Sequence, residues 1–279
     1  MGRELKKKSG DPTGGPPPVA LSIAGSDSGG GAGIQADLKA FAACGVHGTT
    51  AVTAITAQNT VAVEAVEAVS PEMIVAQVGA VVSDLGVDAV KVGMLGTAAT
   101  ALAVVRALRS VGEVPVVVDP VMVAESGASL LEHEARDALI TGVLPLATVV
   151  TPNIPEARAI TGLGEEADQE ELAQALLAMG LEAVVVTGGH SEEVVDLLVT
   201  PDSVVPIEGA IHPGGASHGS GCTHSSALAA GLARGLDLEQ AARLARETAS
   251  FAVERGLRSL GSGAGPVDAL GITGRTTGH

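Results

Sequence analysis

The chain has 279 residues, enough to bury a full core as one large α/β domain. Hydrophobic residues make up 46%, with two phenylalanines and no tryptophan or tyrosine, so that core must be built from alanine, valine, leucine and isoleucine. A formal net charge of -16 argues against a nucleic-acid partner, and the two distant cysteines, Cys44 and Cys222, argue against a disulfide framework or a CxxC metal site.

Residues 1–18 carry Lys6-Lys7-Lys8 and then a Gly/Pro-rich run with no apolar stretch, which predicts a disordered arm and not a signal peptide. The longest uncharged window, Ala40 to Val63, is interrupted by polar and glycine positions and does not read as a membrane span. A cytoplasmic protein is expected. Val19 to Ala24 is a short apolar strand ending in a glycine loop, Gly25 to Gly33. A helix follows with Ile34, Leu38 and Phe41 on one face and Gly45 as its stop. Gly31 to Ala36 fits the dinucleotide GxGxxA pattern. However, the next strand, read as Thr50 to Thr56, ends without the acidic residue that would hold a ribose, which argues against a nicotinamide cofactor.

Ser70-Pro71 starts a helix that runs to Gly86, with serine as cap and proline at the first position. Asp88 to Val92 is a strand leading to Gly93-Met94, and Thr97 caps a helix to Gly112. Val114 to Val118 is a strand closed by Asp119. A helix over Glu132 to Val143 precedes Thr148 to Val150, whose strand ends in Thr151-Pro152-Asn153 with Glu156 three residues on. Gln169 to Met179 is helical. Ala183 to Val186 is a strand that ends in Thr187-Gly188-Gly189-His190. Val194 to Val199 and Ser203 to Ile207 read as a hairpin. Leu236 to Gly256 closes the fold as a helix, and from Gly261 the chain reads as tail. The organisation expected is an arm over 1–18, one domain over 19–270 and a flexible tail over 271–279. Each apolar strand ends in Gly, Asp, Asn or His, so polar chemistry collects at the carboxyl edge of a parallel sheet, where open α/β folds bind ligands.

His218-Gly219-Ser220-Gly221-Cys222-Thr223 opens an Ala/Leu-rich run and reads as a glycine loop at a helix start. The first amides of such a helix lack intrahelical partners and carry the positive end of the macrodipole, so they can hold a phosphate. The same position lowers a thiol pKa, which makes Cys222 a candidate thiolate.

These blocks, taken in order, resemble the motif set of hydroxymethylpyrimidine/phosphomethylpyrimidine kinases. They are Ala24-Gly25-Ser26-Asp27, Gly30 to Lys39, Thr56 to Thr60, Lys91 to Leu95, Asp119 to Met122, Thr151-Pro152-Asn153 with Glu156-Ala157, Gly188-Gly189-His190 and His218 to Thr223. The resemblance spans about Val19 to Leu260. It implies a ribokinase-like three-layer α/β/α fold with a central, mostly parallel sheet. It also implies ATP-dependent phosphorylation of 4-amino-5-hydroxymethyl-2-methylpyrimidine and then of its monophosphate, in thiamine biosynthesis, with Mg2+ as cofactor and a homodimer as the assembly. Carried over by motif, Gln58 reads the aminopyrimidine edge, with Gly25, Asp37, Met94 and Val121 lining the same pocket. Asn153, Thr187, Gly188, Gly189 and His190 lie by the nucleotide. Glu156 orders magnesium through water, and Asp119 assists it. Gly219, Ser220 and Gly221 amides stabilise the transferred group, and Cys222 stands where the sugar kinases of the superfamily place an aspartate base.

Residue-level alternatives accompany these roles. Gln58 could cap its own loop, Glu156 could complement its helix dipole, and Cys222 could be a small buried residue at a helix start. Many relatives carry lysine where this chain has Thr187, and the run Ile211 to Ser217 also departs from the family pattern. Two other functions fit the same residues: a pyridoxine or pyridoxal kinase, and a weakly catalytic pyrimidine- or nucleotide-binding regulator.

Overall fold

Alternating valines decide the middle layer of the molecule. Side chains of successive strand residues point to opposite faces. Thus Val116 and Val118 join the core on one side of the sheet while Val117 joins the other, and Val184 and Val186 are likewise separated from Val185. The computed structural model describes residues 15–123, 127, 130–188 and 195–274. Its strands are β1 (Val19–Ala24), β2 (His47–Val52), β3 (Ala54–Gln58), β4 (Val63–Ala68), β5 (Ala89–Val92), β6 (Val116–Val118), β7 (Val149–Val150), β8 (Val184–Val186), β9 (Val195–Thr200) and β10 (Ser203–Glu208). Its helices are α1 (Gly33–Ala43), α2 (Pro71–Asp84), α3 (Ala98–Val111), α4 (His133–Ala138), α5 (Ile154–Thr161), α6 (Gln169–Ala178), α7 (Ser220–Ala233) and α8 (Leu238–Glu254).

Eight strands form one sheet in the order β10-β9-β8-β7-β6-β5-β1-β2. All neighbours from β2 to β8 run parallel, and the β9–β10 hairpin continues the sheet antiparallel. Helices α2, α3, α5 and α6, with the π turn that continues α4, cover one face. Helices α1, α7 and α8 cover the other. The result is the expected three-layer α/β/α arrangement. Ser70 and Thr97 cap α2 and α3 by accepting from the amides of Met73 and Thr100. No helix among the described residues is long and apolar enough to cross a membrane.

Three local expectations are corrected. The strand expected over Thr50 to Thr56 is two strands in two sheets. Buried Thr53 bonds the Met94 carbonyl oxygen through its hydroxyl and the Ala24 carbonyl through its amide, and the chain then leaves the main sheet to pair β3 with β4 as a separate antiparallel arm. The buried face of α1 is Ala36, Asp37, Ala40 and Phe41, whereas Leu38 is exposed. Residues beyond Gly261 are not a tail: Val267, Asp268 and Ala269 are buried, and Val267 donates its amide to the carbonyl of His218. A helical turn, Ile272–Gly274, follows. Most of the expected N-terminal arm lies outside the described residues.

Candidate active site

The carboxyl ends of β1, β5, β6, β7 and β8 deliver Gly25, Met94, Asp119, Asn153 and Thr187 to one side of the sheet, where they line a cavity of about 410 Å³. Residues of the 210–219 loop, the start of α7 and one face of α8 close it. Gly25, Gln58, Met94 and Val121 are among the lining residues; a Cβ at Gly25 would lie 2.9 Å from the Met94 sulfur, so glycine keeps that wall open. Gln58 sits at the end of β3. Its backbone amide donates to the Ser28 hydroxyl at 2.8 Å, and that hydroxyl donates to the Gln58 carbonyl at 2.7 Å; the side chain borders the cavity, its Oε1 accepting from the Thr56 hydroxyl at 3.4 Å.

Gly219 caps α7 with φ 88°, a left-handed conformation, and a side chain there would overlap the Gly31 carbonyl oxygen. The turn it makes exposes the first amides of the helix. Ser220 returns its amide to the Ser217 carbonyl at 2.9 Å, whereas the amides of Gly221 and Cys222 have no protein acceptor among the described residues. Those two, with the Gly219 amide, which has no acceptor among the described residues either, and not that of Ser220, are free for a phosphoryl oxygen.

The electrostatics under this loop invert the expectation for Cys222. Burial, with Asp37 and Asp119 adding to it, pushes its thiol up to about 12 although Lys91 and the Gly33 amide pull the other way. Although Cys222 is only partly buried and borders the cavity, its desolvation outweighs the helix dipole and favours the thiol over the thiolate. Lys91 is the residue that sequence reasoning left without a role. It is fully buried, pairs with Asp37 at 2.9 Å and lies 3.7 Å from Asp119. Burial alone would lower its pKa, but Asp37, Cys222 and Asp119 hold it above the usual lysine range. A lone lysine in the otherwise apolar strand Ala89–Val92 was the available signal.

Asp37 does not wall the cavity. It lies one layer behind, where Lys91 and the hydroxyls of Ser22 and Ser226 donate to it. Removing one partner of such a buried pair typically costs ~3–5 kcal/mol, because the other charge is left stranded.

Glu156 and Asp119 face the cavity together. Glu156 also completes a capping box on α5: Asn153 Oδ1 accepts from the Glu156 amide at 2.8 Å, and Glu156 Oε2 accepts from the Asn153 amide at 3.0 Å. Burial and the nearby Asp119 push the Glu156 carboxyl up to about 8, and burial raises Asp119 as well. Asp119, buried, and Glu156, partly buried, disfavour ionising together and are a donor set that a hard divalent cation would relieve. A pair of carboxylates suits magnesium, which keeps several waters. Thr187 borders the cavity and bridges to Asn153, and the amide of neighbouring Gly188 donates to Asp196 at 3.1 Å. Gly189 and His190 lie outside the described residues.

Asp27 and His218 form a second link that sequence reasoning missed. His218 Nε2 lies 2.9 Å from Asp27 Oδ2, and the Asp27 carboxylate also accepts from the amides of Gly29, Gly31 and Ala32. Burial opposes its charge, but His218 and the amides of Ala32 and Gly29 outweigh it and hold the carboxyl below its ordinary range. Ile211, Ala249 and Val253 also line the cavity, beside His212 and Ser250, which bond each other at 2.7 Å. Ala249 and Val253 are four apart on α8, a spacing that puts both on one helical face.

A three-layer α/β/α sheet whose strand ends meet a glycine-capped helix start and a pair of acids defines a ribokinase-like small-molecule kinase. Within that class the match is narrower: residues 27–268 fit the phosphomethylpyrimidine kinase family, and the chain belongs to it. It is 50% identical over 255 residues to a hydroxymethylpyrimidine/phosphomethylpyrimidine kinase of Rhizobium meliloti, covering 89% of this chain and 96% of that one. Among solved structures, it superposes on Bacillus subtilis pyridoxal kinase with a TM-score of 0.84 at 35% identity, covering 92% of this chain and 99% of that one. It superposes on the phosphomethylpyrimidine kinase of Clostridium difficile with a TM-score of 0.73 at 41% identity, covering 82% and 96%.

Proposed function

We propose that the protein uses ATP to phosphorylate 4-amino-5-hydroxymethyl-2-methylpyrimidine and then its monophosphate, on the route to thiamine. One observation carries this reading: the free amides of Gly221 and Cys222 share a single cavity with a wall built from Gly25, Gln58, Met94 and Val121. The Gln58 amide offers a donor and an acceptor side by side, which suits an aminopyrimidine edge. The nucleotide base would rest on Ile211, Ala249 and Val253, with its phosphates toward Asn153, Thr187 and Gly188. The Bacillus subtilis relative is described as an ADP complex.

Phosphoryl transfer rests chiefly on positioning and charge stabilisation. The Gly221 and Cys222 amides, at the positive end of α7, would meet the oxygens of the transferred group. Asp119 and Glu156 would hold a magnesium ion, directly or through water; when bound, the ion supplies positive charge beside the phosphate oxygens. Cys222 would face the acceptor hydroxyl in the first step. The second step needs no base, because a phosphomonoester has a second pKa of about 6 and is largely ionised near neutral pH.

We place the protein in the cytoplasm, in keeping with its two free cysteines. We also assign it a homodimeric state, supported by the apolar residues that the β3–β4 arm and its turn leave in solvent: Ile55, Val61 and Val66 are 58%, 54% and 48% exposed.

The deciding experiment measures ADP release with magnesium-ATP on the hydroxymethylpyrimidine, its monophosphate and pyridoxal, with product masses. Mono- and then diphosphate from the pyrimidine is the expected result. Turnover on pyridoxal alone would favour the second reading, which the superposition on Bacillus subtilis pyridoxal kinase supports. Binding without turnover would make the protein a regulator.

A further inference from the structure

The segment after α8 touches both ends of the site. On one side, the Thr60 hydroxyl, two residues beyond Gln58, accepts from the amides of Ser262 and Gly263, each at 3.2 Å. Side chains at Gly261 or Gly263 would overlap Thr60 itself, so the approach depends on glycine. The segment then folds back on itself: the Leu257 amide donates to the Pro266 carbonyl at 2.8 Å, and a Cβ at Gly265 would overlap the Leu257 carbonyl oxygen.

On the other side it pairs with the backbone of His218. The His218 amide donates to the Gly265 carbonyl at 3.3 Å, and the Val267 amide donates to the His218 carbonyl at 3.0 Å. The His218 ring is fixed by Asp27, and the next residue is Gly219, the cap of the anion loop. The Asp268 amide anchors the far end to the Ala252 carbonyl of α8 at 2.9 Å.

We propose that residues 257–268 are a positioning strap, with Thr60 and His218 as the positioning residues through which the arm bearing Gln58 and the loop bearing the Gly221 and Cys222 amides hold one another in register. The role assigned to the arm rests on the reading of Gln58 as the pyrimidine contact; the mechanical link does not. Without the strap, the two elements would be joined only indirectly, through the 25–33 loop, whose Ser28 bonds the Gln58 backbone and whose Asp27 bonds His218.

Thr60→Val removes the hydroxyl acceptor at nearly constant shape, and Thr60→Ser keeps it. In the full-length, unliganded protein, hydrogen exchange across 217–222 should rise about fivefold in Thr60→Val, the factor expected for losing roughly one net hydrogen bond, and stay at the wild-type level in Thr60→Ser. Turnover at saturating pyrimidine and ATP should fall by a similar factor of about five and be restored in Thr60→Ser. Faster exchange at 261–263 with unchanged exchange at 217–222 would overturn the strap. So would a rise in pyrimidine KM alone with kcat intact, because the hydroxyl would then serve only the arm. Gln58→Ala, assayed in parallel, separates the two ideas: an unchanged pyrimidine KM there defeats the Gln58 reading, while loop exchange in Thr60→Val still decides the strap.

Discussion

Cys222 shows how a single side chain can receive opposite instructions from its helix and its surroundings. Its place in the first turn of α7 favours a thiolate, but desolvation beside Asp37 and Asp119 dominates and keeps the proton on. Iodoacetamide should therefore modify Cys222 slowly near pH 7.5, with the rate climbing only at strongly alkaline pH. A thiol that keeps its proton is no general base, so Cys222→Ala should lower both phosphorylations by similar, small factors in separate single-turnover assays. A first step slowed about tenfold or more with the second left intact would instead restore Cys222 as the base. Asp27 makes the opposite case, a carboxylate held below its ordinary range. The unfolded chain then binds a proton more readily than the folded one, so the stability from this group is present above the ordinary carboxylate pKa and lost as pH falls through the lower folded value. Between about pH 5 and 3 the melting temperature of the wild type should drop more steeply than that of Asp27→Asn, a difference measurable by calorimetry.

Elements were legible in the sequence where a local signal determined them, and illegible where a distant partner did. Ser70-Pro71 and Thr97 announced α2 and α3, and the apolar runs announced β5 to β8, because caps and valine strands are short-range chemistry. The β3–β4 arm escaped because the chain leaves the main sheet at Thr53, whose partners are Ala24 and Met94. Asn59 did carry a turn signal, since its side chain accepts from the amides of Val61 and Ala62. The segment after Gly261 looked like a tail because its glycines mark close approach to Thr60, which no local pattern reveals. The site motifs themselves were readable as strand ends, whereas Lys91 and the His218–Asp27 link gain meaning only through contacts 54 and 191 residues away in sequence. The anion loop gives the sharpest test at this scale. Gly219→Ala forces an alanine into a left-handed conformation and against the Gly31 carbonyl oxygen, so it should abolish turnover to the limit of detection; the strain of about 1–2 kcal/mol plus the overlap should also lower the melting temperature by several degrees.

At the scale of the whole molecule, the parallel sheet is a means of bringing remote parts of the chain to one edge. The apolar surface left on the arm is consistent with a second copy packing there. Ile55→Lys with Val66→Lys should shift sedimentation from dimer to monomer while the melting profile stays cooperative; a monomeric wild type would end the assignment. The cavity takes its first wall from residues 24–33 and its last from residues 210–253, and Asp37 meets Ser226 only 189 residues later. A ribosome has therefore made most of the protein before the cavity can close. At roughly 5–20 residues per second, the interval between Asp37 and Ser226 is on the order of ten to forty seconds. During that time the nascent β1–α1 unit carries an incompletely paired carboxylate on the face that α7 will cover, so its lasting docking must await the arrival of the anion helix.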